Sequence, residues 1–241
     1  MNDLSMQAQP AAARTSRRAP PMRHVEIAWL GPDRRPEWRS VTIPALAEFE
    51  CAFNAFARGT YLQTPSGPRA IEDLQPGQML TTEAHGPQPI LWIGQMRMVP
   101  DAPLDRPELG QITRILPDAF GTERPQANLL LGPGARLVDP HAPANPLTPA
   151  RLIQDGLSAL EIRPHHPIEF FHIQLPRHAL IRAANMSVES FHPCEGIFET
   201  MGTNAQMFLL TLFPHLEALH DFGTLSCPRL SLWADRITAA A

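Results

Sequence analysis

The chain has 241 residues and no lysine; all 20 of its basic residues are arginine. Schiff-base chemistry, which needs a lysine amine, is excluded. Acidic residues number 24, so the net charge is −4, and nothing resembles the clustered positive charge of a nucleic-acid footprint. Cysteine is scarce as well. Cys51, Cys194 and Cys227 are odd in number, and no two stand at metal-ligand spacing, which argues against a disulfide framework and a zinc site. No apolar stretch reaches the roughly 20 residues of a membrane span; Met207–Phe213 is short and reads as a core helix. Arg14, Arg17 and Arg18 are followed by no apolar run, so no signal peptide is expected. A reducing, cytoplasmic location follows, with no membrane span and no nucleic-acid partner. Gly132-Pro133-Gly134 lacks the Lys-Ser/Thr of a phosphate loop and reads as a turn.

What the chain does have is apolar content, at 44% of residues, and 27 prolines, about twice the usual share of roughly 5%. Proline breaks helices and is excluded from central strands, so short strands with many turns are predicted, and no long helix before about residue 195. Residues 1–22 are poor in large apolar side chains and are expected to be a disordered tail. His24–Leu30 alternates polar and apolar, Trp38–Ile43 is rich in β-branched residues, and Gly31–Pro36 turns between them: a hairpin. Residues 44–57 read as a short helix or an extended lead-in. From residue 59, strand and turn signals recur about every ten residues, as in an all-β fold. Strands are expected at Thr60–Thr64, Gln78–Thr82, Gln88–Gly94, Gln111–Leu116, Asn128–Leu131, Ala135–Val138, Pro167–Leu175 and His178–Arg182. Residues 139–150 are predicted to be loop, Ala150–Gln154 a helical turn. Gly202–Leu219 carries a helical pattern interrupted by Pro214, and Leu230–Ala239 a final helix. The expected organisation is a tail (1–22), an N-terminal β-hairpin and lead-in (23–51), a central β domain (52–195) and a C-terminal helical extension (196–241).

Phe56-Ala57-Arg58-Gly59-Thr60-Tyr61-Leu62-Gln63-Thr64-Pro65-Ser66-Gly67, continuing through Arg69–Gln78, resembles the opening of bacterial Hint domains, the fold of inteins and Hedgehog autoprocessing modules. Gly86–Gly94 fits the same family. Asn128-Leu129-Leu130-Leu131-Gly132-Pro133 resembles its second motif block. Glu169-Phe170-Phe171-His172-Ile173 with Arg177-His178 and Glu189-Ser190-Phe191 resembles its last. The layout, including Phe213-Pro214-His215 and Asp221-Phe222-Gly223, is similar to Hint-containing proteins of alphaproteobacteria. The resemblance implies a mainly β Hint fold with an N-terminal hairpin extension and a short C-terminal helical region. The chemistry it implies is self-cleavage: a cysteine at the first strand attacks the preceding carbonyl, and a Ser or Thr and a His in the second block assist the leaving amide.

The departures from that pattern carry the functional expectation. The family's cysteine position is Ala55. The second block reads Gly132-Pro133-Gly134-Ala135 in place of Ser or Thr and then His. The terminal pair is Glu189-Ser190, without Asn. Methyl groups and hydrogens transfer neither protons nor acyl groups, so the expected protein is a Hint domain inactive in self-cleavage, a scaffold or a module for a protein or peptide partner. Two alternatives remain open at this point. One is self-processing through a non-family nucleophile, Cys51 or Ser190. The other is a metal enzyme built on histidines. The candidate catalytic residues are therefore Cys51, His172 and His178; His172 and His178 stand beside a structural reading as donors to backbone carbonyls. His165-His166 is a poor bidentate pair, because neighbours on an extended chain face opposite ways. Asn185 reads as a turn residue. No cofactor and no metal site is expected.

Overall fold

A computed structural model describes residues 20–104, 107–139, 142, 145–193 and 197–230. The chain opens with strands β1 (Met22–Leu30) and β2 (Pro36–Pro44), paired antiparallel from Met22 opposite Pro44 to Leu30 opposite Pro36. One helical turn, α1 (Ala47–Glu50), leads into the short β3 (Phe56–Ala57). Then follow β4 (Tyr61–Thr64), β5 (Gly67–Ala70), β6 (Met79–Thr82), β7 (Gly86–Pro89), β8 (Trp92–Met98), β9 (Ile112–Ile115), β10 (Leu129–Leu131) and β11 (Arg136–Val138). The series closes with β12 (Leu147–Pro149), β13 (Ala159–Ile162), β14 (Ile168–Gln174), β15 (Leu180–Ala183) and β16 (Met186–Glu189). Two helices, α2 (Ile197–Thr200) and α3 (Thr203–Thr211), come last. Among the described residues, no helix is long and apolar enough to cross a membrane.

The strands form two antiparallel sheets. The first runs β13-β9-β10-β3-β14-β8-β1-β2; the second runs β12-β11-β16-β15-β4-β5, with β6 joined to β15 and β7. Strands β14 and β8 are the longest central pair, in register from Ile168 opposite Met98 to Gln174 opposite Trp92. Successive side chains of a strand face opposite ways. On β14 this sends Phe171 and Ile173 into one apolar cluster, with Leu62, Leu80, Leu137 and Val188 of the second sheet, and Phe170 into another. Around β14 the first sheet is therefore buried on both faces, while β2 at its edge is largely exposed.

The second cluster unites the two ends of the chain. Val25, Ile27 and Ile43 from the hairpin, Phe49, Ala52 and Phe53 from the lead-in, and Leu209, Leu212, Phe213 and Phe222 from the C-terminal part all pack in it. Trp92, fully buried, donates its indole N–H to the Leu212 carbonyl at 2.7 Å, and its ring lies 4.5 Å from that of Phe213. An indole buried with its N–H satisfied anchors whatever supplies the acceptor. The hairpin and the C-terminal helices are both present as expected. The hairpin, however, is continuous with the first sheet through β1–β8 pairing, from Val25 opposite Met96 to Trp29 opposite Trp92.

Some local expectations shift. Met22, placed in the tail, begins β1; the rest of that tail, residues 1–19, lies outside the described residues, as do Cys194 and all but the first residue of the final helix at Leu230–Ala239. The 139–150 segment, expected as loop, contains β12, an edge strand whose Pro149 needs no ladder donor. Strand β13 pairs with β9 without an anticipated signal. The lead-in forms α1, and Ala150–Ile153 forms a 3₁₀ turn. Ala184 and Asn185, with φ of 47° and 70°, make the tight turn between β15 and β16, the left-handed role expected of Asn185.

Candidate functional site

The turn Gly132-Pro133-Gly134 between β10 and β11 meets the segment entering β3. Ala55 is fully buried and held by two backbone hydrogen bonds: its N–H donates to the Phe171 carbonyl at 3.1 Å, and its carbonyl accepts from Gly132 N–H at 2.9 Å. The carbonyl of Asn54, the residue before it, accepts from Gly134 N–H at 3.2 Å. The contact is too close for side chains on the turn. A Cβ on Gly132 would overlap the Asn54 carbonyl oxygen and lie 2.9 Å from its carbon; one on Gly134 would overlap the Asn54 side-chain oxygen and lie 2.6 Å from the Cys51 carbonyl oxygen. Ala135 is also fully buried, in the same apolar cluster as Ala55.

His172, on β14, reaches this segment from below. Its Nδ1–H donates to the Cys51 carbonyl at 3.0 Å, which leaves Nε2 as the unprotonated nitrogen. Nε2 has no hydrogen-bond partner, and neither do the two side-chain polar atoms of Asn54. The ring sits edge-on to Phe56 and Phe191, at 6.0 and 5.1 Å. Burial pushes its pKa down to about 4, against the opposing pull of the Cys51 carbonyl, so the imidazole is neutral at ordinary pH. Cys51 meets His172 through its carbonyl; its thiol points to the Glu48 carbonyl, 3.7 Å away, within its own helical turn.

His178 lies elsewhere, in the connection from β14 to β15, where it joins a buried polar cluster. Its Nε2 donates to Glu189 Oε2 at 3.1 Å, and its Nδ1 lies 2.9 Å from Ser226 Oγ while accepting from the Ser226 N–H at 3.1 Å. Arg136 NH1 reaches Glu189 Oε1 at 3.2 Å, and Arg229 Nε reaches Oε2 at 3.0 Å. Arg229 also donates to the Pro193 and His192 carbonyls, at 2.7 and 2.9 Å. Burial alone would raise the Glu189 pKa, but the His178 hydrogen bond and the two guanidiniums overcome it and hold the carboxyl at about 2. Ser190, a sequence candidate for nucleophile, is fully buried with its Oγ accepting from Ala179 N–H at 3.0 Å. His165 and His166 are exposed. Among the described residues, no group of three or more His, Cys, Asp or Glu side chains is placed to hold a metal ion.

The structure thus brings Cys51, Asn54, Ala55, Gly132, Gly134 and His172 together and puts His178 in a separate cluster. In the sequence Glu189 is marked only by what it replaces. Arg136, Arg229 and Ser226 were not singled out, since their partners lie 40 to 53 residues away in the chain and no local pattern marks them.

The molecule is an antiparallel two-sheet module in which the peptide entering β3 is buried against the turn between β10 and β11. The Hint domain family model matches residues 54–195, and the chain belongs to that family. Among solved structures, it aligns with the solution structure of a bacterial intein-like domain from Clostridium thermocellum at 11% identity and a TM-score of 0.41, over 58% of this chain and 99% of that one. No curated protein matches the chain.

Proposed function

We propose that this Hint domain is silent in self-cleavage and acts as a scaffold that keeps its own upstream segment seated in the pocket where peptide rearrangement occurs in active members. One observation carries the reading: the Asn54 carbonyl and side chain occupy the space that side chains at positions 132 and 134 would need. Ala55 has no atom able to attack that carbonyl. Gly132 and Ala135 have none able to protonate the leaving amide. The upstream residues Phe49, Ala52 and Phe53 are at most 3% exposed, so releasing them would strip the core of the domain that remains.

The alternative nucleophiles are poorly disposed. Ser190 is enclosed and engaged by Ala179 N–H, and the Cys51 thiol faces a carbonyl oxygen of its own turn rather than a carbonyl carbon. The test is an intact-mass time course on the full chain over several days at pH 7 and 25 °C, with and without hydroxylamine or thiol. The expected result is a constant mass under every condition. A defined fragment ending at residue 50, 54 or 189, formed without protease, would refute the proposal.

A further inference from the structure

The cluster around His178 opens on a cleft of about 500 Å³, bordered by Ala84, Pro176, Ala179, Leu180, Ser226 and Cys227. Ser226 is exposed there, while the His178 and Glu189 side chains behind it are 0% and 1% exposed. We propose that Ser226, His178 and Glu189 form a nucleophilic relay acting on small carboxylic esters that enter this cleft. The arrangement matches what an activated hydroxyl requires: a nucleophile within hydrogen-bond reach of a base, and the base oriented by a third group. The Ser226–His178 separation is 2.9 Å and the His178–Glu189 separation 3.1 Å.

The tautomer is set by its neighbours. The Ser226 backbone N–H donates to His178 Nδ1, so the lone pair is on Nδ1 and the proton on Nε2, facing the ionised Glu189. The Ser226 hydroxyl, 2.9 Å from Nδ1, shares that lone pair with its own backbone N–H, which must yield it when the hydroxyl proton transfers. Glu189 is a positioning residue, its carboxylate held in turn by Arg136 and Arg229.

In the acylation step the Ser226 Oγ forms a bond to the ester carbonyl carbon while its proton moves to His178 Nδ1. The tetrahedral intermediate collapses, the bond to the alkoxide leaving group breaks, and Nδ1 returns the proton to that oxygen. A water then gives a proton to the same nitrogen and bonds to the acyl carbon; the bond to Oγ breaks, the carboxylic acid leaves, and Nδ1 returns the proton to Ser226 Oγ. Ala84, Pro176, Ala179 and Leu180 give the cleft one apolar side suited to a short acyl chain, and Glu83, His85 and Arg177 line the rest. None of these three residues belongs to the set gathered at Ala55, although Glu189 is close enough to act electrostatically on His172.

The test treats the full chain with a fluorophosphonate probe and maps adducts by peptide mass spectrometry, alongside hydrolysis of p-nitrophenyl acetate and butyrate. The expected result is one adduct, on Ser226. Ser226→Ala should abolish it and return ester hydrolysis to the uncatalysed rate. His178→Asn should slow labelling by about 10²–10⁴-fold, the usual worth of a positioned base. Three results overturn the proposal: no adduct on Ser226 at millimolar probe, hydrolysis undiminished in Ser226→Ala, or equal labelling rates in the parent and a folded His178→Asn. Should His178→Asn fail to fold, the exposed Ser226→Ala decides the matter alone.

Discussion

If the upstream segment is seated over the Gly132 turn, adding a single methyl group at that glycine should be costly. In Gly132→Ala the new Cβ meets backbone, not a flexible side-chain end: the Asn54 carbonyl carbon would lie at 2.9 Å and the Phe170 ring edge at 3.0 Å. Relief requires the turn and the segment to separate, which weakens the Gly132–Ala55 and Gly134–Asn54 hydrogen bonds at 2.9 and 3.2 Å. Each is worth about 1 kcal/mol. Overpacking adds about 1–3 kcal/mol, and the stiffer unfolded chain returns about 0.4–1 kcal/mol. The expected loss is about 2–4 kcal/mol, or about 4–16 °C in Tm for a chain of this size. Urea titration at pH 7.5, followed by tryptophan fluorescence, measures it. Gly202→Ala serves as the control: that glycine has φ of −66° and nothing within 4 Å of an added Cβ, so its change should stay within about 1 kcal/mol. A Gly132→Ala protein as stable as the parent to within about 0.5 kcal/mol would mean that Asn54 does not sit where the structure puts it, and the silent-pocket reasoning would fail with it.

Two further outcomes follow from burial. Phe53, fully buried beside Trp92 with ring centroids 5.6 Å apart, lies upstream of the family-matched region; Phe53→Ala should cost about 3–5 kcal/mol by calorimetry, whereas an unchanged Tm would make the lead-in a dispensable appendage. Stability should also fall in acid. His172 is held near 4 in the folded chain against 6.5 unfolded, so below pH 6.5 the unfolded state takes up a proton that the folded state refuses. The contribution is fully present above pH 6.5 and about 3 kcal/mol is lost by pH 4. His215, pushed to about 4 by burial, acts in the same direction, and protonation of Glu189 extends the decline from pH 4.5 towards 2. Denaturant titrations at pH 7.5, 5.5 and 4 should trace this slope, and a His172→Gln protein with an identical slope would contradict it.

The sequence carried much of the fold because period-two alternation and proline-glycine turns are local signals. The β1–β2 hairpin, strands β4 and β6, and the Ala184-Asn185 turn could all be read from neighbours in the chain, whereas β5 carries no strand signal of its own and the run Gln88–Gly94 is divided between β7 and β8. What could not be read was tertiary. Strand β12 hides in a proline-rich stretch because an edge strand tolerates residues that a central one rejects. Nothing local says that the hairpin adds to the first sheet, or that Phe53 and Phe213 share a core. At the candidate sites, Ala55, Gly132 and Ala135 were legible as missing chemistry. The reason for glycine at 132 and 134, the close approach of Asn54, was not. His172 and His178 both belong to the stretch that resembles the family's last motif block. The chain turns between them, so one faces Cys51 and the other faces Ser226 and Glu189.

The shared apolar cluster at the two ends of the chain bears on synthesis. Translation proceeds from the N-terminal side, so β1, β2 and the lead-in emerge long before Leu209, Phe213 and Phe222, which cover the same face. Arg229, one of the cations that hold Glu189, comes later still, and Leu147 N–H waits for the Pro228 carbonyl. A nascent chain stalled near residue 195 would display an uncovered face of the first sheet and a buried carboxylate short of one counter-ion. Vectorial folding of this domain therefore cannot finish until residues up to Arg229 have left the exit tunnel, and chaperone engagement should peak on chains truncated between residues 195 and 230.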